Sequence, residues 1–243
     1  MTEDDFLSRY DPSEFAPLAL TVDIVLMGLR EGRPTVLLLR RDAHPFQDRW
    51  ALPGGFVAER EGLDEAAGRV LRDKARIESA HLEQLYTFGA PERDPRMRIV
   101  SVAYLALLNE RAFGEALLGN PALLPATLEV PWAGEQGGPV SAVARGEALP
   151  LAFDHAAILA GAVLRLRGKL DYSPVGFAFL PAEFTLRQLQ DVHEAISGRA
   201  LNKPAFRRRM LDKGWIRPTG TREAGTSFRP AELFRFDPAS KGD

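Results

Sequence analysis

GGFVAEREGLDEAAGRVLRDKARI, residues 54–77, sets a glycine turn before an amphipathic helix. Gly54 and Gly55 permit backbone conformations closed to other residues. Leu63, Ala67, Val70 and Leu71 recur at helical spacing, so a helix is predicted over 61–75. Asp64 and Glu65 fall in its first turn, where negative charge complements the helix dipole. The helix ends in a charged cluster that includes Asp73, Lys74 and Arg76.

On either side of this stretch the chain reads as strands. Residues 18–29, LALTVDIVLMGL, are rich in β-branched and aliphatic side chains, and TVLLLRR follows after the turn REGRP, which predicts a hairpin. Residues 82–88 and 99–108 are further strands, joined by GAPERDPRMR. Residues 119–150 are rich in Gly, Pro and Ala, and only a short strand at 128–130 is assigned there. Asp154 is a candidate N-cap for a helix to about Lys169, with Ile158, Leu159, Val163, Leu166 and Leu170 on one face. Strands with a helix between them point to α/β layering.

The 243 residues, 45% hydrophobic and 26% charged, are enough for one large or two unequal domains. The absence of cysteine excludes disulfides and thiolate metal sites, and fits a reducing compartment. No uninterrupted apolar segment long enough for a signal peptide or membrane span follows the acidic start, so a soluble, cytoplasmic protein without membrane contact is expected. The net charge of -2 points to no particular partner, but its distribution is uneven. Residues 185–236 hold eleven Lys/Arg against five Asp/Glu, whereas residues 1–184 are net acidic. That asymmetry predicts a C-terminal segment that meets a polyanion.

The C-terminal segment has clear helix punctuation. Thr185 and Gln188 form a capping box, flanked by Phe184 and Leu189 as a hydrophobic staple. This helix stops before Gly198, and a second starts after Asn202 with Pro204 in its first turn. Two short β-prone segments close the chain, giving the outline of a winged helix. Phe206 and Met210 mark the buried side of the second helix, leaving Lys203, Arg207, Arg208 and Arg209 to a DNA major groove. Arg222 and Arg229 on the hairpin are placed to reach the backbone or minor groove. His193, with no second histidine nearby, is expected in the core or on the surface and not as a ligand.

Residues 54–77 resemble the Nudix box, G-x5-E-x7-R-E-U-x-E-E-x-G-U, through Gly55, Glu61, Arg69, Leu71 and Ile77. The carboxylates that hold Mg2+ in that family fall on Val70, Asp73 and Lys74, and the closing glycine falls on Arg76. An apolar group, one short carboxylate and an ammonium do not gather a divalent cation. No metal site, no cofactor and no hydrolysis are therefore expected. Guanidinium and ammonium groups can balance a diphosphate without metal. The candidate ligand contacts are Arg40, Arg41, Glu61, Asp73, Lys74, Asp94, Arg96 and Arg98, with Arg93 offering a further fork.

The YDPSEF arm, the degraded box, TFGAPERDPRMRIVSVAYLAL, LAFDHAAIL and the FTLRQLQ, FRRRML and FRPAELFRF segments together resemble the Nudix-related transcriptional regulators of NAD metabolism. The resemblance implies an arm over 1–17, an α/β Nudix-type sandwich over 18–152, a connecting helix and linker over 153–182, and a winged helix-turn-helix domain over 183–238. It further implies a homodimeric repressor of NAD biosynthesis or salvage genes on a double-stranded DNA operator, released by ADP-ribose or a related nucleotide. Relatives that sense sugars keep that alternative effector open. The rival expectation is a Mg2+-dependent Nudix pyrophosphatase acting on ADP-ribose, with an appended nucleic-acid-binding domain.

Overall fold

The computed structural model describes residues 1–78, 81–224 and 230–238. A short helix α1 (Glu3–Leu7) precedes strands β1 (Ala19–Arg30), β2 (Arg33–Arg40), β3 (Trp50–Ala51) and β4 (Gly54–Phe56). Helix α2 (Leu63–Ala75), strands β5 (His81–Phe88) and β6 (Ile99–Leu107), and helix α3 (Glu110–Gly119) follow. Next come β7 (Leu123–Glu129), β8 (Ser141–Ala144), β9 (Glu147–Ala148) and helix α4 (His155–Lys169). The C-terminal unit is β10 (Phe184–Thr185), α5 (Leu186–Ser197), α6 (Lys203–Asp212), β11 (Ile216–Arg222) and β12 (Glu232–Phe236).

Strands β1 to β9 form one sheet with the main order β5-β6-β1-β2-β7-β8-β9. The β1–β6 pair is parallel and the others are antiparallel. The predicted hairpin is β1–β2, closed by Glu31 and Gly32, which both have positive φ as a tight twisted turn requires. Alternation along β1 divides the core. Val22, Ile24 and Leu26 face α2 and α3, while Val25 and Met27 face α4. The result is a helix–sheet–helix sandwich. The segment 153–182, expected as a connector, thus supplies the helix that covers one face of the sheet, in a core that continues to Phe184, Leu189, Phe206 and Phe234 of the C-terminal unit.

Differences from the predicted elements are local. The box helix starts at Leu63, two residues later than predicted, because Glu61 and Gly62 turn the chain into it. Helix α3, not among the predicted elements, is capped by Asn109 and buries only Phe113 and Ala116. Residues 119–150 hold three strands where one was expected, each defined by pairing: β7 with β2, β8 with β7 and β9 with β8. The 1–17 arm buries none of its residues.

The C-terminal unit follows its punctuation. Thr185 and Gln188 form the capping box, Gly198 ends α5 in the left-handed conformation, and Asn202 accepts from the Ala205 N–H at 3.0 Å. Strands β10, β12 and β11 form the small sheet of a winged helix. Arg229 lies outside the described residues.

Candidate functional site

A cleft of about 190 Å3 opens where β1, β4 and the start of α4 meet. Thr21 and Asp23 form its floor, on the α4 side of β1. Gly54 pairs with Asp23 across the β1–β4 ladder, and a Cβ there would lie 2.2 Å from Asp23 Oδ1, so only glycine fits. The opposite wall comes from the start of α4. Leu52 N–H donates to His155 Nδ1 at 2.9 Å, which leaves the proton of the neutral ring on Nε2, 3.6 Å from Asp23 Oδ1. Burial pushes the His155 pKa down against the pull of Asp23 and Asp154. The imidazole is therefore neutral at neutral pH.

Most of the charge in and around the cleft is already matched. Arg93, buried, forks onto Asp154 at 2.9 and 2.7 Å and lies 3.5 Å from Asp23, which also accepts from Ser101 Oγ at 2.5 Å. Arg96 makes the same fork on Asp94, at 2.9 and 2.7 Å, and holds that carboxyl below its ordinary range. Arg41 differs. Its Nε donates to the Pro45 carbonyl at 2.8 Å and its Nη2 to the Ala43 carbonyl at 3.3 Å, and no described carboxylate pairs with it. Burial, then the neighbouring Arg96, lowers its pKa against the weaker pull of Asp94, Asp42 and Asp23, none of which bonds to it.

Aromatic faces accompany these cations. The Arg41 guanidinium lies 4.8 Å from the Phe153 ring centre, and Arg96 lies 5.4 Å from that of Phe56. Phe153 has φ +50, a conformation that costs an aromatic residue about 1–3 kcal/mol and is held here by its surroundings, with Phe46 edge-on at 4.8 Å. An unpaired guanidinium beside aromatic faces suits a ligand that carries both phosphate and a planar ring.

A second surface lies on α6. Lys203, Arg207 and Arg208 are exposed, while Phe206 and Met210 anchor the helix. Arg209 turns the other way: it pairs with Asp171 at 3.0 Å and lies over the Phe206 ring. Arg222 is exposed on β11 and donates to the Pro230 carbonyl at 2.9 Å.

The NUDIX domain family matches residues 17–121, and the NrtR DNA-binding winged helix domain family matches residues 176–236. The ADPR responsive transcriptional repressor NtrR of Acinetobacter baylyi is 35% identical over 97% of this chain and 88% of its own length. This chain belongs to the NrtR family of Nudix-fused winged-helix regulators. The structure of Shewanella oneidensis NrtR complexed with a 27mer DNA is 33% identical, with a TM-score of 0.74 over 91% of this chain and 94% of that one. A MutT/nudix family protein from Enterococcus faecalis shares the fold, with 24% identity and a TM-score of 0.76 over 98% of this chain and 94% of that one.

In this NrtR-family chain the box does not fit Mg2+. Val70 is buried in the core beneath Gly55, and Asp73 and Lys74 are exposed, so two of the three positions that would hold the cation carry an apolar group and an ammonium. Among the described residues no group of three or more His, Asp or Glu side chains could hold a metal ion. Glu61 instead binds Arg69 at 2.6 and 2.7 Å and accepts from the Ala58 N–H, which holds its pKa at about 2. The pair ties the start of α2 to the glycine turn.

Of the predicted ligand contacts, the structure brings Arg41, Asp94 and Arg96 together in the cleft, with Arg93 beside them. Arg40, Glu61, Asp73, Lys74 and Arg98 do not line it. Arg40 alternates to the other side of its strand and pairs with Asp48 at 3.0 Å, and Arg98 donates to the Gly89 carbonyl at 2.7 Å. Thr21, Asp23, Phe56, Phe153 and His155 also line the cleft, and none of them is among the contacts expected from the sequence. One signal was available for Asp23, a lone carboxylate inside an apolar strand. The other was the Phe-Asp-His run opening α4.

Proposed function

We propose that this chain is a repressor of NAD biosynthesis or salvage genes. It binds its operator as a homodimer and is released when ADP-ribose, or a related nucleotide diphosphate, enters the Nudix cleft. The observation that carries the effector reading is Arg41, the cleft cation without a carboxylate, set against the Phe153 face. It offers charge to a phosphate and an aromatic partner to a base. The name of the Acinetobacter relative supports ADP-ribose as the ligand, and the Shewanella DNA complex supports an operator partner. With Val70 and Lys74 where cation ligands would stand, the domain binds the diphosphate without cutting it. Lys203, Arg207 and Arg208 contact DNA from α6, with Arg222 and the wing beside them. Arg209 holds α6 against the preceding segment.

Binding of the purified protein to its own upstream DNA, with and without ADP-ribose, tests this reading. ADP-ribose is expected to release the DNA, and Arg207→Ala with Arg208→Ala to abolish binding. Arg41→Ala is expected to weaken ADP-ribose binding in calorimetry by about tenfold or more, the size of one lost charge-assisted contact. Mg2+-dependent release of AMP from ADP-ribose, abolished by Asp73→Ala, would instead assign the cleft to a hydrolase.

A further inference from the structure

One helix joins the cleft to the DNA-reading unit. Helix α4 has 15 residues, a rod of about 22 Å at 1.5 Å per residue. At its start, Asp154 holds Arg93 and His155 closes the cleft wall. At its far end, Arg167 is 8% exposed and no described carboxylate pairs with it. Its Nε donates to the Ile196 carbonyl in the last turn of α5 at 2.9 Å. Its Nη1 donates to the carbonyls of Trp132 and Gly134, at 2.8 and 3.1 Å, and the guanidinium lies 4.4 Å from the Trp132 ring centre. Just beyond α4, Asp171 pairs with Arg209 of α6, and its carbonyl accepts from Lys213 Nζ. The rod grips the cleft with its first residues and both helices of the winged unit with its last.

We infer that α4 transmits cleft occupancy to the winged unit, to α5 through Arg167 and to α6 through Asp171. The inference rests on the reading of the cleft as a nucleotide-effector site. Asp154 makes no side-chain bond to the first-turn N–H groups of its own helix, because its carboxylate serves Arg93. A diphosphate that draws Arg93 toward itself frees Asp154 to swing onto those N–H groups. The start of α4 then has two arrangements with different ligand affinity, which is what a ligand needs to shift an equilibrium. Ile158, Leu159, Ala162, Val163 and Leu166 are buried along the rod, so it moves as a packed body. Arg167 passes that movement to the C-terminal carbonyls of α5.

The test uses full-length protein and its upstream DNA, with the DNA affinity measured with and without saturating ADP-ribose. The ratio is the coupling factor. Lysine cannot serve Ile196, Trp132 and Gly134 from one planar fork, so Arg167→Lys breaks the connection while keeping the charge. The ratio is expected to fall to within about twofold of unity, while calorimetric ADP-ribose affinity and ligand-free DNA affinity change by less than about threefold. A wild-type ratio in Arg167→Lys overturns the inference. If Arg167→Lys fails to fold, Asp171→Asn, at an exposed position, must lower the ratio, and an unchanged ratio there overturns the inference equally. Wild-type protein that binds no ADP-ribose rejects the cleft reading and this inference together. Binding with an intact ratio in the variant rejects the inference alone.

Discussion

Gly54 and Asp23 show how narrowly the cleft floor is built. With Asp23 Oδ1 2.2 Å and the Val22 carbonyl 2.9 Å from a Cβ at position 54, one added methyl must push the carboxylate or the strand aside. Overpacking of this kind costs about 1–3 kcal/mol. Gly54→Ala should lower the melting temperature by several degrees in calorimetry and weaken ADP-ribose binding with it. Gly114, within α3, has nothing within 4 Å of its Cβ, so Gly114→Ala should be neutral or stabilising by up to about 1 kcal/mol. Equal melting of the two variants would show that the floor tolerates displacement. The sequence marks Gly54 as a glycine beside a box but holds no trace of the atom it must clear, since that contact crosses a strand pair 31 residues away in the chain.

Elements whose ends are written in side-chain chemistry were readable, and elements defined by pairing were not. The α5 start is local: Thr185 Oγ1 accepts from the Gln188 N–H at 3.2 Å, and Gln188 Oε1 accepts from the Thr185 N–H at 2.7 Å. Thr185→Ala should cost about 1 kcal/mol, measured by denaturant unfolding, with Thr185→Ser close to wild type. An unchanged midpoint in Thr185→Ala would show that packing of Phe184 and Leu189 alone sets the helix start. Strands β7 to β9 lie in a stretch rich in Gly, Pro and Ala; β7 is placed by β2, far away in sequence, and β8 and β9 are then added by pairing onto it in turn. In α3 the stripe is two residues long and interrupted by Gly114, too short for periodicity to register. The cleft divides in the same way. The guanidiniums of the GAPERDPRMR loop were visible as charge, but Phe153 and His155 looked like the start of a core helix until the fold set them opposite Asp23.

Two segments separated by charge and by motif turn out to share one core. Leu166 of α4 is buried in the same cluster as Val25 of the Nudix sheet and Phe206 of α6. Leu166→Ala should therefore destabilise both units together, by about 2–5 kcal/mol, in a single unfolding transition. Trp50 and Trp215 report from the two ends. Two resolved transitions would mean that the units fold apart. The shared core also fixes the effect of acid. His193 is buried beneath Phe206, and burial first, then Arg209 and Lys213, against the opposing pull of Asp171, push its pKa down to about 4. Below about pH 6.5 the unfolded chain takes up a proton that the folded one refuses. The His193 contribution is thus whole above pH 6.5 and lost as the pH falls toward 4. Roughly 2 kcal/mol should disappear between pH 7 and pH 5. His155, also pushed down by burial, adds loss in the same direction. Because the core is continuous, the loss at His193 in the winged unit should lower the stability seen at Trp50 in the Nudix sheet. Urea titrations at pH 7 and pH 5 should show this steepness in wild type and a shallower dependence in His193→Leu, whereas equal pH dependence would remove His193 as its source.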